Sequence, residues 1–388
     1  MTSIETIRLV STFMGITIWS ACSEGARLND RGEQMTSDDV YASQTPAKFE
    51  VDPFWPKPLP NNWILGEVSG VAIDANDHVW IVHRPKTLSD RETGAAQNPP
   101  TSECCIPAPS VIEFDSKGNV LQAWGNQESM QQWFVSEHGI FVDNEGNVWI
   151  GGNSAQDQVV MKFSNKGEFL LQIGGWGVTN GSNDTRHLGG PTDIAVDSLA
   201  NEVYIADGYV NRRIIIFDAE TGEYKRHWGA YGEAPDDSDL PPYDPNNEPL
   251  KSFRNPVHAV RLSFDNLVYI ADRSNNRIQV FKKDGTFVRE SFVARQTLGP
   301  GSVWDIELSP DADQTYMYIA DGMNMKVWIL DRLNLEIVGS LGHGGRNAGQ
   351  CGWIHNVAMD SKGNLYTAEV SPGKRVQKFR PVPNSTID

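Results

Sequence analysis

The chain has 388 residues, 39% of them hydrophobic and 21% charged, which supplies a sizeable core and excludes a largely disordered polymer. Its formal net charge is -17, and that excludes a nucleic-acid binder that neutralises phosphates with clustered Lys and Arg. The 35 Gly and 22 Pro follow no collagen period and point to a turn-rich fold, while four Cys are too few for a disulfide scaffold.

The first element is a short apolar run at 9–21, LVSTFMGITIWSA, behind Arg8. It is too short to span a bilayer but has the length of an export-signal core. The run ends in Ser20-Ala21-Cys22, and small residues before a Cys match a bacterial lipoprotein signal in which Cys22 carries the lipid. Residues 1–22 are therefore expected to be an export signal and 23–48 a polar linker. The expected location is periplasmic, secreted or lipid-anchored, with a membrane reached only through a lipidated Cys22.

From residue 49 onward one pattern recurs. An apolar strand ends near Asp, a Gly/Asn turn follows, then a strand like VYIAD, a polar turn, an RIQVF-like strand and a last strand. The copies open at Ser69 (SGVAIDANDHVWIVHR), His138 (HGIFVDNEGNVWIGG), Thr192 (TDIAVDSLANEVYIAD), His258 (HAVRLSFDNLVYIAD), Trp304 (WDIELSPDADQTYMYIAD) and His355 (HNVAMDSKGNLYTAE). Asn, Asp and Gly between alternating apolar runs are hairpin signals, so each copy reads as a four-stranded antiparallel blade. Six blades closed in a ring make an all-β, six-bladed β-propeller over 49–382, with 383–388 as a tail. The last copy is one strand short, and FEVDPF at 49–54 is expected to supply that outer strand. Two insertions stand out, an acidic, Pro-rich one at 230–252 and one at 85–108 that carries Cys104-Cys105. That pair reads as a vicinal disulfide, metal ligands or free thiols, placed for a role at the channel mouth.

Aligned on the first strand, histidine occupies the opening position in blades 2, 4 and 6 and no other. Alternate blades of a six-fold ring are related by a three-fold rotation, so His138, His258 and His355 converge on the channel axis. Each alone reads as a channel-lining His bonded to backbone or water. Together they form the three-His pattern of a catalytic zinc site with an open position, although imidazole also suits Cu, Fe and Ni. The position after the second strand carries Arg84 in blade 1 and Arg273 in blade 4, and blade 3 has Asp207-Gly208-Tyr209 there. An Arg can clamp a carboxylate with two parallel bonds, and a Tyr beside a metal and an Arg is a candidate base. Taken singly, each of these is also an ordinary surface or interblade residue.

VSGVAID…VHR, HGIFVD, PTDIAVD…VYIADGYVNRRI, VHAVRL…ADRSNNRIQVF and IHNVAMD…GNLY resemble the NHL-repeat propeller of the peptidyl-α-hydroxyglycine α-amidating lyase family. The resemblance implies zinc on His138, His258 and His355, a catalytic Tyr at Tyr209 and active-site arginines at Arg84 and Arg273. It also implies a structural calcium on the carbonyls of Val71 and Ile140 and the side chain of Asn356. The sequence departs from the family at Asn356, where a carboxylate is expected. It departs again at Val210, which stands where the family has a Cys, and at Trp353 or Ile354, which take the place of a Met. The activity implied is zinc-dependent cleavage of the C–N bond of a peptidyl-α-hydroxyglycine-type carbinolamide, giving an amide and glyoxylate. The partner would be a small or peptide-like substrate with a carboxylate. Two other readings use the same residues: a metal-dependent hydrolase of a small carboxylate-bearing substrate, and a non-catalytic propeller that binds a ligand or protein at its mouth.

Overall fold

Six four-stranded antiparallel sheets succeed one another along the chain. The computed structural model describes residues 46–125 and 132–382. The expected export signal with Cys22, nearly all of the expected linker and the tail lie outside these residues. Among the described residues no helix is long and apolar enough to cross a membrane.

The first strands are Glu67–Ile73, Glu137–Val142, Pro191–Asp197, Val257–Leu262, Asp305–Leu308 and Ile354–Met359. Each touches the first strands of both neighbouring blades, and blade 6 returns to blade 1, so these strands ring the central channel. The expected clasp forms. Lys48–Val51 pairs antiparallel with Arg375–Val382, in the register Lys48 to Val382 and Val51 to Phe379, and completes blade 6. Closure leaves short, protected edges.

The core is divided into six clusters, one at each seam between blades. The two-residue period of a strand produces this division. In Arg213–Asp218 of blade 3, Ile214 and Ile216 pack towards blade 4, and Ile215 and Phe217 towards blade 2. Every strand therefore serves two seams. Burying one such side chain contributes roughly 1.5–3 kcal/mol.

The insertion at 85–108 is tied down by a short parallel pairing of Trp63–Ile64 with Ile106–Pro107. Cys104 and Cys105 are joined as a vicinal disulfide, with Cys104 exposed. Around the disulfide, the hydrogen bonds of residues 101–108 to the rest of the chain run to Asn62, Ile64 and Gly94. The insertion at 230–252 folds over the mouth of blades 3 and 4, where the Tyr243 hydroxyl donates to Arg295 O at 2.7 Å.

Candidate metal centre and active site

Each histidine sits where its strand carries an extra residue. Val257 pairs with Asp272 and Ala259 with Ala271, so His258 has no cross-strand partner. His355 is bulged in the same way between Ile354 and Asn356. In blade 2 the shift falls between Glu137 and Ile140, around His138 and Gly139. A bulge bends the strand and re-aims the side chain at the extra position, which here turns the imidazole into the channel. Gly139 has no room for a side chain, because a Cβ there would lie 2.5 Å from Thr192 O.

Thr192 O matters because it accepts the His138 Nδ1 proton at 2.6 Å. His355 Nδ1 donates to Ser69 O at 2.7 Å, and His258 Nδ1 donates to Trp304 O. A carbonyl only accepts, so each Nδ1 carries the proton and each Nε2 presents a lone pair. Such outer partners fix the tautomer and ring orientation of metal-binding histidines. The three rings stand 4.6, 4.8 and 5.0 Å apart between centroids, and one nitrogen from each lies within 4.8 Å of the others. They are 1%, 3% and 4% exposed. Burial first, then the neighbouring charges (Arg273 on all three, Arg84 on His138 and His355, and the other imidazoles on His138 and His258), holds them well below the ordinary histidine range, so they stay neutral. His258 Nε2 is buried without any hydrogen-bond partner. An orphaned buried nitrogen is costly, and this neutral, inward-facing set fits a zinc ion.

Tyr209 and Arg273 stand on turns locked by one motif. In blade 3, Asp207 accepts from Asn211 Nδ2 at 2.7 Å and from Arg213 Nε at 2.9 Å. In blade 4, Asp272 accepts from Asn275 Nδ2 at 2.8 Å and from Arg277 Nε at 2.7 Å. These ion pairs are fully buried, so losing one partner would strand a charge. On the turns so held, the Tyr209 hydroxyl lies 3.1 Å from His138 Nε2. The Arg273 guanidinium stacks 4.4 Å over the Trp304 ring and 5.9 Å from the Tyr209 ring. Arg84 gives Nε to Glu137 O at 2.7 Å and Nη1 to Glu67 Oε2 at 3.1 Å. Its Nη2 is buried and unpartnered. Val210, the neighbour of Tyr209, points outward.

One residue beyond the histidine layer, side chains reach sideways to the next blade. Asp193 accepts from Val260 N, Asp305 from Val357 N, and Asn356 Oδ1 from Val71 N at 2.7 Å. Asn356 Nδ2 donates to Asp305. The Asn356 amide is thus engaged on both atoms, and its oxygen brings no charge. The charged groups here are Asp193, Asp305 and Glu307 around Arg261, whose Nη2 lies 3.7 Å from Asp305 Oδ1. Burial raises all three carboxyls, opposed by Arg261. Asn356, a neutral oxygen that already accepts from Val71 N, is a weaker donor to calcium, a hard cation, than the carboxylate expected there.

Sequence reasoning passed over the Arg261 cluster and the stacking of Arg273 on Trp304. Trp304 was visible as the residue opening the fifth repeat, but nothing in the sequence places Arg273 over it. A further group, Asp74, His78 and Glu113, also brings three ligand atoms together. It is internally satisfied: His78 Nδ1 meets Glu113 at 2.7 Å, and Asp74 takes Trp80 Nε1 at 3.1 Å. Asp143 takes Trp149 Nε1 in the same way at 3.0 Å in blade 2, so the arrangement is a hairpin device.

No protein-family model matches the chain. Over 362 residues it is 27% identical to peptidyl-glycine alpha-amidating monooxygenase B of Xenopus laevis, covering 90% of this chain and 37% of that protein. It is 30% identical over 224 residues to the probable peptidyl-alpha-hydroxyglycine alpha-amidating lyase pgal-1 of Caenorhabditis elegans, covering 56% of each. It is 24% identical to NHL repeat-containing protein 3 of Mus musculus, covering 86% of this chain and 84% of that one. The chain therefore spans little more than a third of the length of the frog relative and about half that of the worm one. Among solved structures, a streptogramin B lyase aligns with a TM-score of 0.50 at 14% identity, over 86% of this chain and 98% of that one. That likeness supports the propeller fold alone. In sequence, the chain is similar to amidating lyases and NHL-repeat proteins.

Proposed function

We propose that this chain is a zinc-dependent lyase that cleaves the C–N bond of a peptidyl-α-hydroxyglycine-type carbinolamide, releasing an amide and glyoxylate. The observation that carries the reading is the convergence of three neutral, backbone-oriented imidazoles on one point, with a tyrosine hydroxyl 3.1 Å from one of them. Relatives named as amidating lyases support a lyase-like activity. His138, His258 and His355 would hold the metal through Nε2. Zinc, when bound, supplies Lewis acidity that lowers the pKa of a coordinated hydroxyl. Tyr209 takes the hydroxyl proton. Arg84 offers its free Nη2 to the substrate carboxylate, and Arg273, fixed on Trp304, faces the developing negative charge. The C=O bond forms as the C–N bond breaks, and the departing nitrogen takes up a proton, so atoms balance. Calcium is left out, because the Asn356 amide is already engaged on both atoms. Export directed by residues 9–21 belongs to the same proposal.

The test is metal analysis of purified protein joined to a glyoxylate-release assay on a small N-acyl-α-hydroxyglycine. One zinc per chain and chelator-sensitive glyoxylate release are expected. Zinc-loaded protein that releases no glyoxylate would overturn the lyase reading and leave the binding-scaffold reading, which the 84% coverage of NHL repeat-containing protein 3 favours.

A further inference from the structure

Two arginines at this mouth lack the direct ion pair their neighbours have. Arg213 and Arg277 are paired with Asp207 and Asp272. Arg212 and Arg254 are partly buried, yet neither is ion-paired with a described carboxylate. Arg212 gives Nε to Asn255 Oδ1 at 2.7 Å and Nη1 to the carbonyls of Asp236 and Ser238 at 3.1 and 2.7 Å. Arg254 gives Nε to Asn275 Oδ1 at 3.1 Å and Nη2 to Pro241 O at 2.8 Å. That leaves Nη2 of Arg212 and Nη1 of Arg254 with no hydrogen-bond partner among the described residues. Each cation also opposes the other. Burial lowers Arg254 from its ordinary value, and Arg212 adds to that effect against the pull of Asp272.

Both line one groove of about 620 Å³, walled by Tyr243 from the 230–252 insertion and by Leu298. Asp239 also lines it. The groove lies against the two turns that carry Tyr209 and Arg273. Asn255, which holds Arg212, donates Nδ2 to Gly208 O at 2.8 Å, in the turn that carries Tyr209. Ser274, on the groove wall, shares the Pro300 carbonyl with Arg273. A guanidinium does not shed its charge, and these free edges, accessible at the groove surface, can exchange water for an anion from outside.

We infer that this groove is an anion subsite for the acyl side of the substrate, so that the preferred substrate is an N-acyl-α-hydroxyglycine whose acyl arm ends in a carboxylate. The inference deepens the lyase reading and rests on it for the identity of the reacting end. Two guanidinium edges suit a planar carboxylate, which accepts paired bonds.

The test uses stable ligands that lack the reactive hydroxyl. Calorimetry on the zinc-loaded full chain compares N-acetylglycine with N-succinyl-, N-adipoyl- and N-suberoylglycine, a series of increasing reach. At least one diacid is expected to bind about tenfold tighter than N-acetylglycine, as one additional charge-assisted contact implies. Arg212→Gln and Arg254→Gln should each remove most of that advantage and leave N-acetylglycine within about twofold of wild type. If no diacid outbinds N-acetylglycine, or if both variants keep the preference with zinc content intact, the subsite is overturned. A retained preference in protein that releases no glyoxylate supports the subsite and overturns the lyase reading instead.

Discussion

Blades 2, 4 and 6 and blades 1 and 3 share one device, a slip in the first strand, and use it in opposite ways, while blade 5 keeps an unshifted register. The first strands of blades 1, 3, 4 and 6 slip by one residue at the position that opens the repeat, and blade 2 slips beside it. In the even blades that residue contributes a side chain, the imidazole. In the odd blades Ser69, Thr192 and Trp304 contribute a backbone carbonyl to the imidazole of the preceding blade. In the zinc reading, half of the ring holds the metal and half aims. The even positions therefore tolerate only a ligand, whereas the odd positions depend on backbone shape.

The largest effect should come from removing an even side chain. His258→Ala leaves two imidazoles, a weak zinc site, and zinc measured by plasma mass spectrometry should fall to near background with activity lost. Wild-type zinc content in that variant would sink the ligand assignment. Tyr209→Phe removes only the hydroxyl beside His138. Turnover should fall by about 10²–10⁴-fold with zinc retained, and a near wild-type rate would make another group the base.

A third outcome concerns pH. His138, His258 and His355 titrate well below their ordinary value when folded, and burial pushes His83 down to about 4. Below roughly pH 6.5 the unfolded chain takes up protons that the folded chain refuses. Their contribution to stability is thus fully present above that pH and is lost as pH falls towards the folded values. The melting temperature of metal-free protein should be flat above pH 7 and drop between about pH 6.5 and 5. A flat profile through that window would mean that these histidines are accessible to protons in the folded state. The smallest effect is expected at an odd position. Ser69→Ala keeps the carbonyl that holds His355 and loses only a long 3.5 Å contact to Val82 O. Stability should change by less than about 0.5 kcal/mol, with zinc content and rate unchanged. A marked loss of zinc there would break the distinction between ligating and aiming blades.

The six repeats, the clasp strand and the alternation of His138, His258 and His355 were legible because strand period and turn residues are local signals. The bulges were not, since inserting one residue in a strand leaves no mark beyond the histidine itself. The DGYVNRR and ADRSNNR segments were visible as motifs, but their work, an Asp holding an Asn and an Arg, emerges only when the turn closes. Arg261 was missed because an isolated Arg on a strand reads as surface until three carboxyls from other blades surround it. The groove beside Arg212 and Arg254 depends on how the 230–252 insertion lies, which composition does not disclose.

The clasp also sets a timetable. Among the described strands, Lys48–Val51 is the first in chain order and its partner Arg375–Val382 the last. His355 lies in that same final blade. A chain made from its amino end can assemble blades 2 to 5 seam by seam, but it owns two of its three imidazoles until the ring shuts. Under the zinc reading, metal capture is then a late step coupled to closure, and the metal would act as a bolt on the joined ring.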